Sequence, residues 1–173
     1  AIALLCLGAD SEAKQMTIVE QGVVQAPVIL PASASAETKS AAETLVNYIE
    51  KISGARPAIL EKPSPVPEHA IWIGASEQAE DIFSQKVLTF ENTEGIVIAC
   101  NGQHLLLAGD DRFFRGEQLA FGTANAVYTF IEKYLNVRWL WPGPLGEDII
   151  REETIAFEPF TFRYHPVFRQ RDL

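Results

Sequence analysis

Residues 122–148, GTANAVYTFIEKYLNVRWLWPGPLGED, decide the fold. Val127, Phe130, Ile131 and Tyr134 recur at helical spacing and form one apolar stripe. Asn136 follows as a residue that tolerates the left-handed conformation in which helices stop. Val137 to Trp141 then read as a short strand dense in tryptophan, ended by Pro142-Gly143-Pro144.

Working outward, a second amphipathic helix is expected upstream. Ala42, Leu45, Val46, Ile49 and Ile52 share one face, Gly54 stands where a C-terminal cap belongs, and Pro57 prevents the helix from resuming. Ile71-Trp72-Ile73 is a compact strand, and Ser76 is placed to cap a helical turn over residues 77–83. Ile96-Val97-Ile98 and Leu105-Leu106-Leu107 flank Asn101-Gly102-Gln103, a β-hairpin in which Asn-Gly favours the positive φ of a tight turn. Thr17-Ile18-Val19, Val28-Ile29-Leu30 and residues 154–157 are further strand candidates. Residues 62–67, KPSPVP, form a stiff proline-rich surface connector, and residues 110–122 a longer polar and aromatic loop. Two main helices and several strands of mixed connection predict an α/β two-layer sandwich, a mixed β-sheet with both helices on one face.

With 173 residues the chain fits one domain, large enough to fold without a metal or a disulfide staple. A net charge of −9 argues against nucleic acid, which requires clustered Lys and Arg. Residues 1–13 carry the apolar run AIALLCLGA followed by small and acidic residues, and read as the remainder of a secretory signal peptide cut before Lys14. The run is too short to cross a bilayer, which takes ~20 residues. A secreted or periplasmic protein, with no membrane attachment after cleavage, is the expectation. Cys100 then stands alone, in a strand context that marks it as buried and inert.

Four segments in order resemble a known arrangement. They are residues 41–54 (AAETLVNYIEKISG), Ile71-Trp72-Ile73-Gly74, the hairpin of residues 94–109, and residues 124–142 with their Val-Arg-Trp-Leu-Trp-Pro ending. Together they resemble the small α/β domain that precedes the catalytic barrel in β-N-acetylhexosaminidases of family 20, in α-glucuronidases of family 67 and in related secreted bacterial proteins. The resemblance implies that residues 14–158 are an accessory domain, and that residues 159–173 begin a linker to a C-terminal (β/α)8 barrel of the same polypeptide. Such barrels hold their active sites at the C-terminal ends of their strands, so no catalytic residue is expected in this chain.

The paired carboxylates Asp110-Asp111, Glu147-Asp148 and Glu152-Glu153 sit in loop-like places. Neighbours on an extended chain point opposite ways, so none of these pairs frames a sugar by itself. His69, His104 and His165 are scattered without ligand spacing, so neither a metal nor a cofactor is expected. Trp139, Trp141 and Arg138 are the candidate substrate contacts, because tryptophan faces stack on sugar rings and arginine binds carboxylates. Strand alternation would place both tryptophans on one face; packing into the core or on the barrel is the competing reading. Phe160, Phe162 and Tyr164 also alternate, and are read as a docking strip for the barrel or as cover for the domain's own core. Two other functions remain open: an independent carbohydrate-binding module resting on Trp139 and Trp141, and a protein-interaction domain using the strip.

Overall fold

Each main helix forms because its sequence supplies both an apolar face and chemical stops. A computed structural model describes residues 15–90 and 94–166; the expected signal segment, residues 1–13, lies outside them. Helix α1 (Ala36–Ser53) starts where Ser35 Oγ accepts from Thr38 N, and ends where Gly54 adopts φ 78° and donates its N–H to Glu50 O. Its buried face carries Leu45, Val46, Ile49 and Ile52, as the spacing predicts. The short helix α2 (Glu77–Phe83) is capped by Ser76, whose Oγ accepts from Ala79 N. Helix α3 (Gly122–Lys133) has no cap at the residue before it; the Asp111 carboxylate accepts from Thr123 N at 3.1 Å instead. After α3, Asn136 turns the chain with φ 54°, as expected of it.

In chain order the strands are β1 (Met16–Glu20), β2 (Val23–Val24), β3 (Val28–Ile29), β4 (Ile59–Leu60), β5 (Ala70–Ile73), β6 (Ile96–Cys100), β7 (His104–Gly109), β8 (Phe113–Phe114), β9 (Glu117–Gln118), β10 (Arg138–Trp139), β11 (Glu147–Asp148), β12 (Ile155–Phe157) and β13 (Phe160–Tyr164). The main sheet runs β13-β6-β7-β5-β3-β4. Its β4, β3, β5 and β7 are parallel, while β6 and β13 add antiparallel partners at the other side. A second sheet, β12-β1-β2, ties the start of the described chain to its end, with Met16 opposite Phe157. Two small hairpins, β8–β9 and β10–β11, stand apart from both sheets.

Strand alternation divides the main sheet between two cores. Ile71, Ile73, Ile98, Leu105 and Leu107 face α1 and α3 in the larger one. Trp72, Val97, Leu106 and Ala108 point the other way, toward Ala79 and Phe83 of α2. The fold is thus the expected two-layer α/β sandwich with both main helices on one face, and α2 partly covers the opposite face. Because both faces are covered, the central strands read as continuous apolar runs, not as an alternating pattern. Among the described residues, no helix is long and apolar enough to cross a membrane.

Several details depart from the sequence reading. The central residues of the β6–β7 turn are Gly102 and Gln103, since Asn101 N bonds His104 O. Gly102 alone in this turn has positive φ, at 88°, and the Asn101 side chain accepts from the N–H groups of Gln103 and His104. Residues 110–122 contain the β8–β9 hairpin, which carries no local signal strong enough to distinguish it from a loop. The boundary expected at residues 158/159 falls beside a strand of the main sheet. There β13 pairs with β6 along its whole length, from Phe160↔Cys100 to Tyr164↔Ile96. Arg163 strengthens this edge by donating to the carbonyls of Lys86, Val87 and Thr89 in the segment after α2.

Backbone meets backbone where β7 ends and α3 begins. A Cβ on Gly109 would lie 2.2 Å from the Gly122 carbonyl carbon, and one on Gly122 2.3 Å from Asp110 N. The Thr123 hydroxyl bridges the same junction to Gly109 N at 3.3 Å. This approach seats α3 against the sheet.

Candidate functional site

Three of the sequence-predicted site residues, Arg138, Trp139 and Trp141, lie in one loop, but they do not form the expected row. The strand is shorter than its pattern, only Arg138–Trp139, and pairs with Glu147 and Asp148. Beyond Trp139 the chain leaves the strand, because Pro142 and Pro144 cannot donate ladder bonds. It returns through a 3-10 turn at Pro144–Gly146. Leu140 N donates to Gly146 O at 2.7 Å and closes the loop. Only glycine fits at 146, where a Cβ would sit 2.0 Å from the Trp141 carbonyl oxygen.

Trp139 is the anchor of this loop. Its indole Nε1 donates to the Tyr48 hydroxyl on α1 at 2.6 Å, and the two rings meet edge to face at 5.6 Å. The Glu147 carboxylate lies near the Tyr48 hydroxyl and accepts from Lys51 Nζ at 2.5 Å. Lys51 also lies 4.7 Å from the Tyr48 ring centre. The Lys51 bond, with help from Tyr48, holds the Glu147 carboxyl below the usual carboxylate range although partial burial works against it. Burial is the main cause that pushes the Tyr48 phenol up.

Two predictions test the relay. Tyr48→Phe strands the Trp139 N–H, and is expected to cost about 1–2 kcal/mol in urea unfolding. The pH dependence follows from the lowered Glu147 pKa. Its contribution is present above the ordinary carboxylate value, ~4.3, and is lost as pH falls through the lowered value. Glu147→Gln is therefore expected to flatten the acid arm of a stability–pH curve while leaving its neutral-to-alkaline slope unchanged.

Outside the anchor the loop is apolar and exposed. Leu140 is 62% exposed, Trp141 57% and Leu145 90%. Leu140 and Trp141, with Trp139, Pro142 and Pro144, line a shallow cleft of about 540 Å³ that neither Arg138 nor Leu145 lines. Its one carboxylate, Glu147, is already held by Lys51. The loop is thus an apolar protrusion anchored at Trp139.

The other predicted strip divides in a similar way. Tyr134 stacks on Phe160 with ring centres 4.6 Å apart and meets Phe162 edge-on at 6.5 Å. Phe157 and Phe130 complete that aromatic cluster. Phe160 and Phe162 therefore pack on the domain's own core, and only Tyr164, 52% exposed, remains outside. The alternation that suggested a docking face is the alternation of a sheet strand covered by a helix.

A cleft of about 320 Å³ also opens at the C-terminal ends of β3, β5 and β7, where α/β sheets commonly hold ligands. Its carboxylates have structural partners: Asp110 accepts from Glu94 N, and Asp111 from Thr123 N and Gln118 Nε2. Phe113 and Phe114, on the β8–β9 hairpin beside it, are both more than half exposed. Sequence reasoning passed over this aromatic pair; its adjacency in an otherwise polar loop was the available signal. Among the described residues, no group of three or more His, Cys, Asp or Glu side chains is placed to hold a metal ion.

No family model and no curated protein sequence matches the chain. Among solved structures, its fold is similar to part of a family GH115 4-O-methyl-α-glucuronidase with specificity for decorated arabinogalactans. The TM-score is 0.64 at 16% identity, over 87% of this chain and 18% of that one. The chain spans less than a fifth of that enzyme's length, and what the two have in common is the fold.

Proposed function

We propose that this chain is a non-catalytic accessory α/β domain of a secreted glycoside-hydrolase-like protein, and that it braces a catalytic barrel in the same polypeptide. The observation that carries the reading is the anchored apolar loop. Leu140, Trp141 and Leu145 are held outward by a relay that immobilises their base, so burying them against a partner costs little further ordering. Exposed apolar groups gathered on a fixed loop suit a protein interface better than a sugar site, which needs hydrogen-bonding groups beside its aromatic face. Similarity to part of a much longer glucuronidase supports placing the domain in a carbohydrate-active protein.

The test compares this chain with the longer protein encoded by the same reading frame. Aryl glycosides are expected to be hydrolysed by the longer protein alone. Leu145→Asp is expected to lower the unfolding temperature of the longer protein while leaving that of this chain unchanged. Turnover by this chain alone would sink the proposal, and so would a Leu145→Asp effect of equal size in both.

A further inference from the structure

The outward stripe of α3 carries side chains of a different kind from the apolar loop. Asn125, Tyr128, Thr129 and Glu132 stand at i, i+3, i+4 and i+7, opposite the buried stripe of Ala126, Val127, Phe130 and Ile131. Seven helical steps make a row about 10 Å long. Tyr164, at the end of β13, flanks this row, and together they line a groove of about 340 Å³. Tyr128 is 40% exposed and Tyr164 52%. Neither ring stacks on another aromatic ring among the described residues. The side chains of Asn125, Thr129 and Glu132 have no hydrogen-bond partner among the described residues, so an amide, a hydroxyl and a carboxylate are open to a ligand.

We propose that this groove binds a neutral oligosaccharide. Tyrosine rings offer apolar faces to the C–H faces of pyranose rings, and their hydroxyls remain available at the edge. Asn, Thr and Glu supply both donors and acceptors, matching sugar hydroxyls, which are themselves both. A row about 10 Å long suits a run of sugar units more than a single ring. The charge of the groove opposes an acidic sugar: Glu132 lines it, and among the described residues no Lys or Arg does. The class of ligand rests on the carbohydrate setting proposed above, whereas the location rests on the groove itself.

The experiment titrates this chain with cellohexaose, xylohexaose, mannohexaose and hexagalacturonate, following backbone amide shifts by NMR. At least one neutral hexasaccharide is expected to shift residues 125–132 and 160–164 and to leave residues 139–145 still. Tyr128→Ala and Tyr164→Ala, both at exposed positions, are each expected to weaken binding at least tenfold, while Trp141→Ala leaves it unchanged. Hexagalacturonate is expected to bind at least tenfold more weakly than the best neutral ligand. The proposal is overturned if no neutral hexasaccharide shifts the groove, if Trp141→Ala abolishes binding, or if the acidic oligomer binds best. It is also overturned if the longer protein buries both tyrosines, read as protection from nitration by tetranitromethane relative to this chain. None of these outcomes bears on the bracing role, which the Leu145→Asp comparison tests separately.

Discussion

Gly109→Ala is expected to lower the stability of the domain by at least about 3 kcal/mol. The added methyl would meet the Gly122 backbone at 2.2–2.5 Å, well inside contact distance. Neither neighbour is the free end of a side chain that could swing away. Gly109 is paired to Ile96 in the main sheet, and Gly122 opens α3. Relief therefore requires α3 to lift from the sheet, which breaks the bonds of Thr123 to Asp111 and Gly109 and loosens Val127 and Phe130. For a domain of this size that loss lowers the unfolding temperature by roughly 6–12 °C. Gly116→Ala is the control: φ is +86° there, but nothing lies within 4 Å of the new methyl. It is expected to cost only the conformational penalty, about 1–2 kcal/mol. Equal losses at the two positions, measured by urea unfolding, would contradict the close-approach argument.

Phe130→Ala is expected to cost about 3–5 kcal/mol, the usual range for emptying a buried aromatic position. Phe130 is fully buried and is the largest side chain on the inner face of α3. Its ring stacks on Tyr134 at 5.6 Å and meets Phe157 edge-on at 5.4 Å. Tyr134 in turn carries Phe160, so one cavity undermines both β12 and β13. The expected signature is uneven: amide exchange accelerates first in Phe162 and its partner Ile98, and last in β5. Uniform acceleration across the sheet would mean that the cluster does not hold the edge strand.

Features written in short stretches of sequence were legible. The Gly54 cap of α1, the Ser76 cap of α2, the stop at Asn136 and the stripes of both main helices all depend on residues within a few positions of one another. They also sufficed to place both main helices on one face of a mixed sheet. What escaped the reading depends on distant partners. Tyr48 and Trp139 are 91 residues apart, so no local pattern reveals that one tryptophan is an anchor and the next is free. Alternation at Phe160, Phe162 and Tyr164 was correctly seen, but what lay over it could not be. A half-covered strand and an interface strip have the same period. The groove on α3 was hidden for a related reason: outward polar residues on an amphipathic helix look like ordinary solvated surface until Tyr164 is brought beside them.

The second sheet has a consequence for how the chain is made. β1 finds its partner in β12, with Met16 opposite Phe157, so about 140 residues must be synthesised between the two strands. At roughly 5–20 residues per second, that interval lasts on the order of 7–28 seconds. Throughout it Met16, Ile18 and Val19, all fully buried in the finished domain, lack the part of their cover that β12 supplies. β2, only two residues long, is the one partner available during the wait. The start of this domain is thus a nascent segment with exposed apolar groups, suited to a chaperone that engages the chain early and lets go once residue 157 has emerged.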